Sequence, residues 1–429
     1  MGNRTRQPAL SEAAAAGGEA PTLRRSLTLA HAVLYGLGVT IGAGIYVLIA
    51  AAASRAGMHA PLAFVLTALA VGLTGASLSE LGVRMPVAAG EAAFARAAFR
   101  SDRVATLVGL LVISVCVVSA ATISVGAAGY IGVFVPAPEA VVITCVVLAM
   151  GLIAARGIVE SVTFAGIMTL IEVGGLMIVV VSGFLYAPGV VADLPEMVPA
   201  TLDPGVWGGI VTASLLAVFA FIGFEGIVNI SEELEDPGRN LPRAIFLTLA
   251  LTTALYVLVM WISLKALGVE ALAASKAPLA LVFSQLTGAS PRVMSAIAVV
   301  ATLNGIVVNM IMASRVMYGL SRQGSLPASL GSVNAATRTP LLATGLSTAV
   351  VLAFALVLPI AALADLSARF TLVMFATVNL ALYVLKSREP PPAPLQFVCP
   401  RWVPLAGLVI CIAFIIADLA VIFGLSERV

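Results

Sequence analysis

Residues 36–46 read GLGVTIGAGIY, with four glycines in the nine positions from Gly36 to Gly44, inside one apolar run. Glycine has no Cβ, so a helix rich in it can unwind and let a ligand approach its backbone closely. Within a bilayer, freed backbone groups are tolerated only where they line a cavity or meet a ligand. The run is therefore expected to break at Ile41, Gly42, Ala43 and Gly44. The N–H groups of Ala43, Gly44 and Ile45 then open a second half-helix, a setting that suits a carboxylate. Gly38 and Gly42 also have the spacing of close helix packing, so the motif taken alone supports either role.

The rest of the chain places this motif in a membrane. Of 429 residues, 61% are hydrophobic and 10% charged, against about 45–50% and about 25% in soluble domains. That excludes a cytosolic enzyme. The formal net charge of +2 makes no basic field for nucleic acid. Cys116, Cys145, Cys399 and Cys411 are scattered singly, which suggests neither a disulfide framework nor a zinc site. His31 and His59 fall near the membrane surfaces, so no metal role is expected for them.

A spanning helix needs about 20 apolar residues. Eleven segments qualify, near 27–53, 61–83, 104–134, 138–155, 161–187, 205–231, 243–264, 293–321, 340–361, 366–385 and 402–425. With the N-terminus inside, 17 of the 23 Lys and Arg residues fall on the inner side, as cytoplasmic loops require. Residues 1–26 then form a flexible cytoplasmic tail, and an odd number of spans puts Ser426 to Val429 outside. An all-helical pattern points to the inner, cytoplasmic membrane, because outer-membrane proteins are barrels.

A second interruption pairs with the first. FAFIGFEG, Phe219 to Gly226, breaks the sixth apolar run at Ala220, Phe221, Ile222 and Gly223. Both breaks lie roughly 20–27 Å along their helices at about 1.5 Å per residue. Segments one to five (27–187) and six to ten (205–385) thus read as a 5+5 inverted repeat, with 402–425 as one extra helix. An odd unit of five spans turns the second copy over, so the broken helices oppose each other. Carbonyls of Phe219, Ala220 and Ile222 would accept from a substrate ammonium, and the phenylalanine rings either close over it or simply pack.

These segments resemble the amino acid–polyamine–organocation permeases, which share the leucine-transporter fold. GLGVTIGAGIY is similar to that family's first span, PVAAGEAAFARAAF (86–99) to its first cytoplasmic loop, FAFIGFEGIVNISEELEDPGRNLPRAI (219–245) to its sixth span and following loop, and NGIVVNMIMASRVMYGLSRQGSLP (304–327) to its eighth. The resemblance implies carboxylate binding at Gly42, Ala43, Gly44 and Ile45, amine binding around Phe219, Ala220 and Ile222, and gating by Phe219, Phe221 or Phe224, with no cofactor and no covalent step. It departs from the cationic branch, whose fifth-span lysine aligns with Glu172 and whose third-span glutamate aligns with Val115. The twelfth span usual in the family is not visible.

Glu172 falls near mid-membrane, where an unpaired charge costs roughly 2.5–3.5 kcal/mol. It either exchanges a coupling proton, holds a substrate ammonium, or stays protonated in a hydrogen bond to a neighbouring helix. Glu225 follows the second break and either gates the site or satisfies unwound backbone. Asn304 and Asn309 are expected to bond across helices, Asp418 to make a local polar contact, and Arg315 to snorkel. Glu232, Glu233, Glu235, Asp236, Arg239 and Arg243 form either a solvated loop or an inner gate.

The expected protein is an all-α membrane transporter moving a neutral amino acid or small amine by proton-coupled alternating access. Alternatives are an amine exchanger without ion coupling and a ligand sensor without flux. No nucleophile, metal cluster or phosphate loop marks an enzyme. The substrate's side chain and the oligomeric state are not encoded in these motifs.

Overall fold

The computed structural model describes residues 27–41, 44–85, 90–157, 162–187, 189–388 and 397–422, with side chains from 166 onward in the helix Val162–Tyr186 and up to 420 in the helix Trp402–Ile422. The N-terminal tail, Gly42, Ala43 and the segment Ser426 to Val429 lie outside the described residues.

The described chain is helical throughout. In order, the helices are α1 (Leu29–Ile41), α2 (Gly44–Ala56), α3 (Ala60–Arg84), α4 (Gly90–Phe99), α5 (Asp102–Ile131), α6 (Glu139–Arg156), α7 (Val162–Tyr186), α8 (Pro204–Phe221), α9 (Pro237–Leu267), α10 (Val269–Ala273), α11 (Pro278–Thr287), α12 (Pro291–Arg322), α13 (Leu341–Val357), α14 (Ile360–Arg388) and α15 (Trp402–Ile422). Their starts follow local chemistry. Ser101 accepts from the Val104 N–H ahead of α5, while Asp203 and Ser290 cap α8 and α12, each just before a proline. Proline suits that first turn because its missing N–H would have had no partner. Gly157, at φ 68°, ends α6 in the left-handed region.

Each of the eleven expected segments contains a helix. Nine helical runs among the described residues are long and apolar enough to cross a membrane. The first expected span is described as α1 and α2 on either side of residues 42–43, and the ninth is the shorter α13, at 17 residues. A single 3-10 turn, Gly57–His59, joins α2 to α3. Leu107, Leu152, Leu170, Leu185 and Ile416 face outward and exposed, an apolar exterior that lipid, rather than water, accommodates.

The interior is assembled from long-range pairs. α5 packs on α12 and α14; α9 on α3 and α1; α2 on α8; α1 on α7; and α15 on α14. At one end of the bundle, Arg55 at the end of α2 makes a two-pronged bond to Asp365 of α14, both arms at 2.8 Å, and donates to the Thr212 carbonyl of α8. At the opposite end, Glu80 of α3 is fully buried and receives Lys386 Nζ, Arg84 and the Cys399 N–H. There too, Leu27 and the 233–235 segment exchange two backbone hydrogen bonds, clasping the start of α1 to the chain that follows the second break.

Candidate functional site

The second interruption occurs, and it meets the first glycine motif. Helix α1 is described to Ile41 and α2 from Gly44; the expected break at Gly42 and Ala43 falls outside the described residues. Helix α8 runs on through Ala220 and Phe221, so its break lies later than expected, at Ile222 and Gly223, followed by a 3-10 turn over Phe224–Ile230. Gly223 has φ 122°, a conformation side chains resist. A Cβ on Gly223 would lie 2.4 Å from the Val39 carbonyl oxygen of α1, and one on Gly44 would lie 3.0 Å from Ala220 Cα. Glycine at both places lets the α8 break meet α1 and the start of α2 backbone to backbone.

Tyr256 of α9, which the sequence reading passed over, ties the junction together. Its fully buried hydroxyl lies 2.9 Å from the Ala220 carbonyl oxygen, 3.0 Å from that of Thr40 and 3.4 Å from that of Ile41. One phenolic proton is thus shared among acceptors of α1 and α8. Its ring packs against Phe64 and Phe221. The sequence does carry a faint signal: Thr248, Thr252 and Tyr256 recur every four residues on one face of an otherwise apolar helix.

The expected amine acceptors are therefore only partly free. The Phe219 carbonyl accepts from the Ile222 N–H at 3.2 Å, and that of Ala220 faces Tyr256. Helix α8 runs two residues further than expected, through Ala220 and Phe221, and Tyr256 reaches its last turn, so these two carbonyls already have partners within the fold. The three rings also separate. Phe221 lies on Tyr256, Phe224 lies 5.5 Å from Phe375 of α14, and Phe219 makes no ring pair among the described residues. Ile41, Ile45, Phe219, Phe221 and Phe224 are all buried, whereas Val39, Ile222 and Glu225 are half-buried.

Glu172 of α7 is fully buried beside this junction. Its Oε1 accepts from Asn304 Nδ2 of α12 at 3.1 Å, and its backbone carbonyl accepts from the Tyr46 hydroxyl of α2 at 2.6 Å. Tyr130 in turn donates to the Tyr46 carbonyl. Asn304 thus bonds across helices as expected, whereas Asn309 turns back to the Gly305 carbonyl of its own helix. Glu225 accepts from the Gly223 N–H at 2.8 Å, satisfying unwound backbone two residues away. Asp418 does more than make a local contact, since it holds Arg369 of α14 in a two-pronged bond.

A bundle of apolar spanning helices, in which the α8 break meets α1 and the start of α2 backbone to backbone, is the architecture of a polytopic membrane transporter of the permease class. The sequence profile of the amino acid permease family matches residues 27–427, and the chain belongs to that family. It is similar to the branched-chain amino acid permease BcaP of Bacillus subtilis, 30% identical over 92% of this chain and 88% of the relative. It is also similar to cationic amino acid transporter 2, vacuolar, of Arabidopsis thaliana, 27% identical over 87% of this chain and 61% of that one. The methylthioribose transporter of Bacillus subtilis is 25% identical over 88% of this chain and 85% of its own length.

Proposed function

We propose that this permease moves a neutral amino acid, coupled to protons, by rocking two inverted five-helix units (27–187 and 205–385) about the junction of its broken helices. The observation that carries this reading is the backbone contact of Gly44 with Ala220 and of Gly223 with Val39. When the junction opens, the N–H groups at the start of α2 take the carboxylate, as a helix N-terminus favours an anion. The Ile222 carbonyl and the carbonyls released by Tyr256 take the ammonium. Phe219 covers the pocket. The likeness to a branched-chain amino acid permease supports a neutral, apolar substrate side chain. Glu172 carries the coupling proton, because an ionisable side chain fully buried within a span, beside the junction and hydrogen-bonded by Asn304, is placed as intramembrane proton carriers are. The arginine-rich side faces the cytoplasm of a bacterial-type inner membrane, with the N-terminus inside.

Uptake of labelled leucine, isoleucine and valine into proteoliposomes tests both levels. An inward proton gradient should drive accumulation from empty vesicles, and Glu172→Gln should flatten the pH profile. Transport only into vesicles preloaded with amino acid would instead establish exchange, and binding without flux would establish a sensor.

A further inference from the structure

Three threonine hydroxyls around the junction have no hydrogen-bond partner among the described residues. They are Thr40 on α1 and Thr248 and Thr252 on α9, and their side chains are 2%, 0% and 0% exposed. A helical threonine has a ready acceptor in the carbonyl one turn back, and this helix uses it elsewhere. Thr253 donates to Leu249 and Ser263 to Val259, both at 2.6 Å. Thr248 and Thr252 decline that bond, so their hydroxyls are turned aside. The direction for Thr248 is toward α1, because its Oγ1 lies 2.5 Å from where a Cβ on Gly36 would sit. Tyr256, two turns on, meets the Thr40 and Ile41 carbonyls of the same helix. Thr252 lies between them on the same face, and Thr40 is one turn beyond Gly36 on the facing helix. The four groups thus form a polar row between α1 and α9. It leads from the junction toward the Glu80 end, where Leu241 of α9 packs against Gly82.

We propose that Thr40, Thr248 and Thr252 hold a file of ordered water along the α1–α9 seam, ending on the Tyr256 hydroxyl. Buried polar groups in proteins are hydrogen-bonded, and where protein supplies no partner, bound water does. The groups in the row are hydroxyls and carbonyls, all neutral, which suits water over an ion that would need its charge balanced. The file gives α1 exchangeable hydrogen bonds in place of fixed ones. It also places water against the hydroxyl that meets carbonyls of both α1 and α8, so Tyr256 has an alternative partner when the junction opens. This inference does not depend on the identity of the substrate or on proton coupling.

Radiolytic hydroxyl-radical footprinting of the purified full-length protein reads bound water directly, since radicals form from it in place. Tyr256 and Trp261 lie on the same helix and are both 0% exposed. The expected result is oxidation of Tyr256 several-fold faster than of Trp261 in the wild type. The rate should fall toward that of Trp261 in Thr248→Val/Thr252→Val and persist in Thr248→Ser/Thr252→Ser. Equal rates for Tyr256 and Trp261 in the wild type would overturn the proposal without any variant being needed. Unchanged Tyr256 oxidation in the valine variant would overturn it as well. So would a sodium-dependent rise in melting temperature that the valine variant loses, which would assign the row to a cation.

Discussion

The Tyr256 hydroxyl lies 2.9 Å from the Ala220 carbonyl oxygen, on the last turn before the α8 break, while also facing the Thr40 carbonyl of α1. One side chain on a third helix thereby ties α1 to the end of α8. Tyr256→Phe removes the hydroxyl but keeps the ring contacts with Phe64 and Phe221. At about 1 kcal/mol per net hydrogen bond, uptake should fall by about five- to tenfold with little change in melting temperature. Unchanged uptake would show that the clamp has no part in transport.

Gly223 and Gly226 provide a matched pair. Alanine at 223 must adopt φ 122° with its Cβ 2.4 Å from the Val39 oxygen, whereas alanine at 226 meets nothing nearer than the Tyr35 hydroxyl at 3.7 Å. Backbone strain of this kind costs about 1–3 kcal/mol, and the clash adds to it. Gly223→Ala should lower the melting temperature and abolish uptake, and Gly226→Ala should behave as wild type in both assays.

Lys386 and Glu80 form a buried ion pair whose side chains are 6% and 0% exposed, with Arg84 on the same carboxylate. Removing one member of such a pair costs about 3–5 kcal/mol, because the other remains buried without its charge balanced. Glu80→Gln strands two cations, whereas Lys386→Met leaves Arg84 on Glu80. Thermal melts in detergent should therefore rank Glu80→Gln below Lys386→Met. The double variant should recover part of the loss.

Glu91, in the first turn of α4 outside the spans, has its carboxyl raised above the ordinary glutamate range, chiefly by burial. A raised carboxyl favours the folded state only while protonated. Its contribution is complete below the ordinary value and is lost as pH rises through the raised one. Glu91→Gln should melt higher than wild type at pH 8, and the gap should close on acidification. A gap independent of pH would show that the carboxyl does not titrate there.

Much of this protein is legible in its residue order. Apolar runs near 20 residues specify spanning helices because the bilayer core supplies no hydrogen-bond partners, and that constraint acts on each segment alone. Gly223 marks the break after α8 for an equally local reason, the absence of a Cβ. Long-range pairing has no such local trace. Tyr256 is 36 residues from Ala220 and 216 from Thr40, and Glu80 is 306 from Lys386. Helical periodicity says which face a side chain occupies, but not which distant helix faces it. For that reason the junction, the burial of Glu172 against Asn304 and the loss of the Phe219 and Ala220 carbonyls to partners within the fold were decided only when the helices packed.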